Sequence, residues 1–128
     1  MDEYQKQVAG LQAAQVIEAL RRNNMDGYFV ERAADVPEQV ARLLHDGDTV
    51  AVGGSKTLTG VLDLLRSGQY RFIDRYAPDI PDMRKVFLDS FAADAYLSSV
   101  NAVTLNGELY NVDGNSNRVA AICYGPRS

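Results

Sequence analysis

The 128-residue chain has one cysteine, Cys123, and one histidine, His45. A single thiol cannot form an internal disulfide, which suits a reducing compartment. It also leaves the chain unable to build a Cys/His metal site or a four-cysteine iron–sulfur cluster from its own residues. No metal ligands are assigned, and no cofactor is expected. Positive charge is scarce as well: 13 Lys and Arg stand against 17 Asp and Glu, the net charge is −4, and no basic run exceeds Arg21-Arg22. Without a basic patch there is no counterion release to drive nucleic-acid binding. No stretch approaches the roughly 18 apolar residues of a membrane span, and the polar start Met-Asp-Glu-Tyr-Gln-Lys lacks the apolar centre of a signal peptide. The expectation is a cytoplasmic protein with no membrane and no nucleic-acid partner. Internal repeats, low-complexity tracts and Gly/Ser linkers are missing too, so residues 1–128 read as a single domain, and 46% hydrophobic residues suffice for a core.

What is present centres on residues 48–65, Asp-Thr-Val-Ala-Val-Gly-Gly-Ser-Lys-Thr-Leu-Thr-Gly-Val-Leu-Asp-Leu-Leu. Thr49 to Val52 is a short β-branched apolar run, the pattern of a strand buried on both faces. It breaks at Gly53-Gly54, after which Leu58, Val61, Leu62 and Leu65 recur at helical spacing. Such a strand–turn–helix unit can be a tight connection capped by Ser55. It can also direct free backbone N–H groups at an anion beyond the strand's carboxyl end, with the Ser55 and Thr57 hydroxyls and the Lys56 charge assisting. Neither standard nucleotide loop is present. A P-loop would need glycines where Val50 and Ser55 stand, and the Rossmann Gly-x-Gly-x-x-Gly spacing does not occur.

Along the chain, Ala13, Val16, Ile17 and Leu20 form the apolar stripe of a helix from Asp2 to about Asn23. Gly27-Tyr28-Phe29-Val30 reads as a short strand. Asp35 reads as the N-cap of a helix with Pro37 and Glu38 in its first turn and Val36, Val40, Leu43 and Leu44 facing the core. His45 falls in that helix's last turn, where a cation has a structural role available. Strands are expected at 71–74 and 95–98, with a helix between them that starts at Pro81-Asp82 and buries Met83, Val86, Phe87 and Phe91. This alternation implies a mostly parallel sheet with helices on both faces.

The pattern then changes. Residues 102–105 and 108–112 flank Asn106-Gly107, a strong hairpin signal. The polar run Asp113-Gly114-Asn115-Ser116-Asn117-Arg118 follows, before Val119, Ile122 and Cys123 resume helical spacing up to Gly125-Pro126. A cap by Asn115 or Asn117 accounts for one asparagine. Asp113, the second asparagine and Arg118 then remain for a site. Carboxyl-edge loops of a parallel sheet converge, so this run is expected beside Gly53 to Thr57, joined by Asn101. Arg118 would grip a carboxylate or phosphate through its planar fork.

Taken in order, residues 52–58, 72–76, 98–104, 106–120 and 124–126 give the chain a resemblance to the lactate-utilisation (LUD) domain family. The resemblance implies a three-layer α/β/α fold, a mostly parallel sheet plus a hairpin, related to ribose-5-phosphate isomerase and CoA transferases. In that superfamily a glycine–serine/threonine turn after a buried strand often receives phosphate or carboxylate. It further implies an accessory domain that binds a small anionic metabolite and is linked to oxidation of L-lactate to pyruvate, with iron–sulfur partner subunits carrying the electrons. The alternative is a stand-alone transferase or isomerase acting on a CoA ester or sugar phosphate, with Glu108 or Asp113 as nucleophile or general base.

The sequence departs from the family pattern in two places. Ser116 replaces the usual glycine of the Asp-Gly-Asn-Gly-Asn-Arg run. Family domains also continue past the Gly-Pro with a buried strand and more helices, so the chain looks C-terminally truncated. An uncovered neighbouring strand would expose several hundred Å² of apolar surface, forfeiting on the order of 10 kcal/mol. That edge is expected to be covered by homo-oligomerisation, by a partner, or by a re-docked element such as the N-terminal helix.

Overall fold

The apolar run Thr49–Val52 forms β1, the middle strand of a three-stranded parallel sheet of order β2-β1-β3. The computed structural model describes residues 2–54 and 58–128, Thr59 by its backbone alone, and is mixed α/β. Two compact units make up the chain: Arg32–Ser99 with Val112–Ser128, and Met1–Glu31 with Val100–Asn111.

In the first of these, the sheet unit, β1 pairs with β2 (Arg71–Phe72) through Thr49↔Arg71 and Val50↔Phe72. On its other side it pairs with β3 (Ala95–Leu97) through Val50↔Ala95, Ala51↔Tyr96 and Val52↔Leu97. Side chains alternate between the faces of a strand, so Val50, Val52 and Ala95 share one face. There they form the core with Val61 and Leu65 of α3 (Thr59–Leu65). Val36 and Val40 of α2 (Val36–Leu43), together with Leu44, pack against that core. Ala51 and Tyr96 point to the opposite face, where α4 (Met83–Ser90) contributes Val86, Phe87 and Ser90 around Tyr96. Helices α3 and α4 carry the β1-to-β2 and β2-to-β3 crossovers. With right-handed crossovers, a 2-1-3 order sends these helices to opposite faces. A crevice then opens where the order reverses, at the carboxyl ends of β1 and β3.

Helix α5 (Asn117–Cys123) completes this unit. Beyond it the Arg127 N–H donates to the Ala93 carbonyl at 3.3 Å, and the Tyr96 N–H donates to the Ser128 carbonyl at 2.9 Å. Residues 127 and 128 therefore lie along the outer edge of β3.

The other unit is a helix with a hairpin. Helix α1 (Glu3–Arg22) opens with a capping box: Asp2 Oδ1 accepts the Gln5 N–H at 2.7 Å, and Gln5 Oε1 accepts the Asp2 N–H at 3.2 Å. Strands β4 (Ala102–Val103) and β5 (Leu109–Tyr110) pair antiparallel, shorter than the sequence suggests. Gly107 turns the hairpin at φ +78, and a Cβ there would lie 2.9 Å from the Ala19 and Leu20 backbone. The Asn23 amide donates to the Asn106 and Gly107 carbonyls. The Asn-Gly pair therefore makes the turn and seats it on the helix.

Three expectations are corrected. Residues 27–30 form no strand: no ladder partner reaches them among the described residues, and Tyr28 and Phe29 are exposed. Asp35 stands at the N-cap of α2 but caps nothing. Its carboxylate instead receives Nε and Nη2 of Arg32 at 2.8 and 3.1 Å, and a 3₁₀ turn over Ala33–Asp35 leads into the helix. Leu43 is exposed rather than in the core. Among the described residues, no helix is long and apolar enough to cross a membrane, and no cluster of three metal-ligating side chains occurs.

Leu65 is 1% exposed and Leu88 is 50% exposed within the same unit. Leu65→Ala should cost about 2–5 kcal/mol in urea unfolding, while Leu88→Ala should stay within about 0.5 kcal/mol. Equal shifts would contradict the placement of the core.

Candidate functional site

Gly53 continues the β1 ladder, its N–H donating to the Leu97 carbonyl at 2.9 Å. That N–H is committed to the sheet, which corrects the expectation that it faces an anion. What Gly53 supplies is space. A Cβ at Gly53 would sit 2.7 Å from the Tyr96 hydroxyl and 2.9 and 3.0 Å from Cγ and Cδ of Arg118. A Cβ at Gly54 would meet the Arg75 guanidinium at 3.0–3.3 Å. Side chains from β3, from α5 and from the loop after β2 thus converge over two adjacent glycines. Ser55, Lys56 and Thr57 lie outside the described residues. Helix α3 has seven residues and no side-chain cap, too short to lend a strong dipole.

Arg75 owes its position to two neighbours. Asp74, beside it in sequence, is claimed by Arg66 through Nε–Oδ2 at 2.9 Å and Nη2–Oδ1 at 3.2 Å, and it also accepts the Tyr76 N–H at 2.9 Å. The Arg66 hydrogen bonds, opposed by burial and helped by the Tyr76 N–H, hold the Asp74 carboxyl below its ordinary value. Arg75 is left with no carboxylate among the described residues. Its guanidinium lies 5.2 Å from the Phe87 ring centroid and 5.8 Å from that of Tyr76, within cation–π range.

Tyr96 is partly buried, and its hydroxyl has no hydrogen-bond partner among the described residues. Burial pushes the phenol upward, and the nearby charges of Arg75 and Arg118 reduce that shift without reversing it. The hydroxyl therefore stays protonated at neutral pH and can donate. Val52, Val86, Phe87, Ala121 and Asn117 complete a cleft around Arg75 and Tyr96 whose enclosed part is about 10 Å³, room for a water. A metabolite could only lie across its mouth.

The 113–118 run works mainly as a helix start. Asp113 Oδ2 accepts the N–H groups of Arg118 at 2.7 Å and Val119 at 3.2 Å, and Oδ1 accepts that of Asn115 at 3.3 Å. The cap of α5 is thus Asp113, not Asn115 or Asn117. Burial alone would raise the Asp113 carboxyl, but the N–H groups of Val119, Asn115 and Arg118 and the Arg118 charge outweigh it and hold the carboxyl low. That makes it a poor base. Arg118 directs Nη1 to the Ser99 carbonyl and Nη2 to the Val112 carbonyl, both at 2.8 Å. Its fork holds the chain where it leaves this unit and where it returns.

Asn101 and Glu108 belong to the helix–hairpin unit. The Asn101 N–H donates to the Tyr110 carbonyl at 3.0 Å, and the Glu108 carboxylate accepts the Thr104 hydroxyl at 3.0 Å. Asn117 opens α5 and lines the cleft. Sequence reasoning missed Arg75 and Tyr96. Arg75 follows β2 closely, at a carboxyl edge where ligand groups gather, and that was the available signal. Tyr96 read as an ordinary strand residue.

Among the described residues, the site offers charge and hydrogen-bond donors. The Ser90 hydroxyl donates to the Val86 carbonyl at 2.8 Å, and Cys123 is exposed on α5. A family model described as the LUD domain matches residues 13–128. No curated protein and no solved structure matches the chain.

Two substitutions test the helix start. Asp113 has its carboxyl lowered from 3.8, so its stabilising contribution is complete above that value and is lost as pH falls through the folded pKa. Asp113→Asn, which keeps one acceptor oxygen and turns the other into a donor facing N–H groups, should cost about 0.5–1.5 kcal/mol at neutral pH and flatten the acid side of the stability profile. Asp74 titrates in the same direction, so the difference between variant and wild type is the measurement. Ser116 adopts φ +62, where a Cβ is strained and glycine is not. Ser116→Gly should raise the unfolding free energy by up to about 1 kcal/mol, read as a higher urea midpoint.

Proposed function

Since the chain belongs to the LUD domain family, we propose that it is a lactate-utilisation accessory domain that binds a small anionic metabolite. The observation that carries this is the paired-glycine turn at the sheet's switch point, with a guanidinium lying over Gly54. The system it serves would oxidise L-lactate to pyruvate in the cytoplasm. Iron–sulfur partner subunits would carry the electrons, because one cysteine cannot ligate such a cluster.

The alternative, a transferase or isomerase for CoA esters or sugar phosphates, needs a carboxylate free to attack or to take a proton. Glu108 is hydrogen-bonded to Thr104, and Asp113 accepts three N–H groups. Binding is therefore the better-supported role.

Calorimetric titration with L-lactate, pyruvate and inorganic phosphate tests the proposal. A carboxylate should bind in a salt-sensitive manner. Gly54→Val, whose side chain would take the place of the Arg75 guanidinium, should weaken binding at least about tenfold, the scale of a charged hydrogen bond. Unchanged affinity in a variant that keeps the wild-type urea midpoint would overturn it.

A further inference from the structure

We propose that Arg75 and Tyr96 together form the receptor for a ligand carboxylate, and that the cleft selects a monoanion over a phosphate dianion. The proposal rests on the reading of the cleft as an anion site and assigns its working groups.

Arg75 has the geometry of a cation held ready for an acceptor. Phe87 and Tyr76 fix it by ring contacts at 5.2 and 5.8 Å. Such contacts hold the group without using up its N–H donors. Its acidic neighbour is withdrawn, since both Asp74 oxygens face Arg66. Among the described residues, no oxygen accepts from the Arg75 guanidinium. A guanidinium carries five N–H donors, so a two-oxygen edge is its natural complement.

Tyr96 supplies a second, neutral donor. Its hydroxyl crowds the position of a Gly53 Cβ as the Arg75 guanidinium crowds that of a Gly54 Cβ, and the Arg75 charge reaches the phenol. Both side chains line the same cleft. A carboxylate seated on Arg75 would therefore have a phenolic O–H alongside.

Charge sets the preference. Tyr96 feels Arg75, Arg118 and Asp113, and two guanidinium groups with one carboxylate leave one net positive charge among these residues. Arg118 adds to the field, while its Nη atoms hold the Ser99 and Val112 carbonyls. A monocarboxylate balances that single charge. Against the described residues alone, a phosphate dianion would keep one charge unmatched at a partly desolvated cleft, which is unfavourable.

Pyruvate and inorganic phosphate, titrated at about pH 8.5, where phosphate is mainly the dianion, into wild type, Arg75→Gln, Arg75→Lys, Tyr96→Phe and Gly54→Val, test the proposal. Urea midpoints would confirm that each variant folds. Pyruvate should bind wild type more tightly than phosphate. Arg75→Gln should weaken pyruvate about tenfold or more, and Tyr96→Phe by roughly two- to tenfold, the ranges for charged and neutral hydrogen bonds. Arg75→Lys, which keeps the charge and loses the fork, should fall between wild type and Arg75→Gln. Pyruvate binding that Gly54→Val abolishes but Arg75→Gln and Tyr96→Phe leave intact would overturn this assignment and leave the anion site standing. Phosphate binding as tightly as pyruvate would overturn the monoanion preference. Failure of wild type to bind either probe would overturn the anion-site reading and this proposal with it.

Discussion

Two missing Cβ atoms at the end of β1 make the local structure possible. A Cβ at position 53 would lie 2.7 Å from the Tyr96 hydroxyl, closer than Cβ atoms essentially ever approach, and one at position 54 would lie 3.0 Å from Arg75 Cζ, tighter than most Cβ contacts. Gly53 meanwhile remains in the ladder through its bond to Leu97, so β1 and β3 stay in register up to the point where the cleft opens. A larger residue would force a choice between sheet pairing and the convergence of three polar side chains. Glycine permits both. Its usual entropic penalty is tolerable here because Gly53 is buried and hydrogen-bonded.

Arginine serves two purposes in the same unit, and the difference lies in which acceptors are near. Arg118 finds the carbonyls of Ser99 and Val112, the residues where the chain departs for its 100–111 excursion and returns from it. Its backbone N–H meanwhile joins the Asp113 cap. One residue therefore couples the start of α5 to both ends of that excursion. Arg75 finds rings instead of oxygens. A cation held by π-faces keeps its donors available at the cost of weaker fixation, about 0.5–1 kcal/mol per contact where solvent reaches. The first arrangement suits structure and the second suits recognition.

The parts of the fold legible in the sequence were those fixed by short-range chemistry. The β-branched run of β1 and the Asn106-Gly107 turn are each decided within a few residues, and each formed. Residues 27–30 had strand composition, but a strand exists only through a partner that composition does not specify. Asp35 offered a plausible cap, yet Arg32 three residues away competed for its carboxylate. The Asp113 cap was hidden because its acceptor lies four residues before the helix begins, outside the usual N-cap spacing. At position 116 the left-handed backbone, φ +62, explains why a serine there is strained.

The candidate site was half legible for the same reason. The glycine turn could be found from its strand–turn–helix setting, and its place at the carboxyl edge follows from parallel topology. The partners of that turn could not. Arg75 and Tyr96 are 21 and 42 residues from Gly54 in the sequence, brought to it by two crossovers that pass through α3 and α4. Nor could local sequence show that Asp74 would be drawn away by Arg66 while Arg75 kept its donors. That outcome depends on an ion pair spanning eight residues and on the Phe87 ring from another helix. The chemistry of the cleft is therefore a property of the 2-1-3 strand order: reversing direction at β1 places the ends of β1 and β3 beside a gap that side chains from separate crossovers can enter.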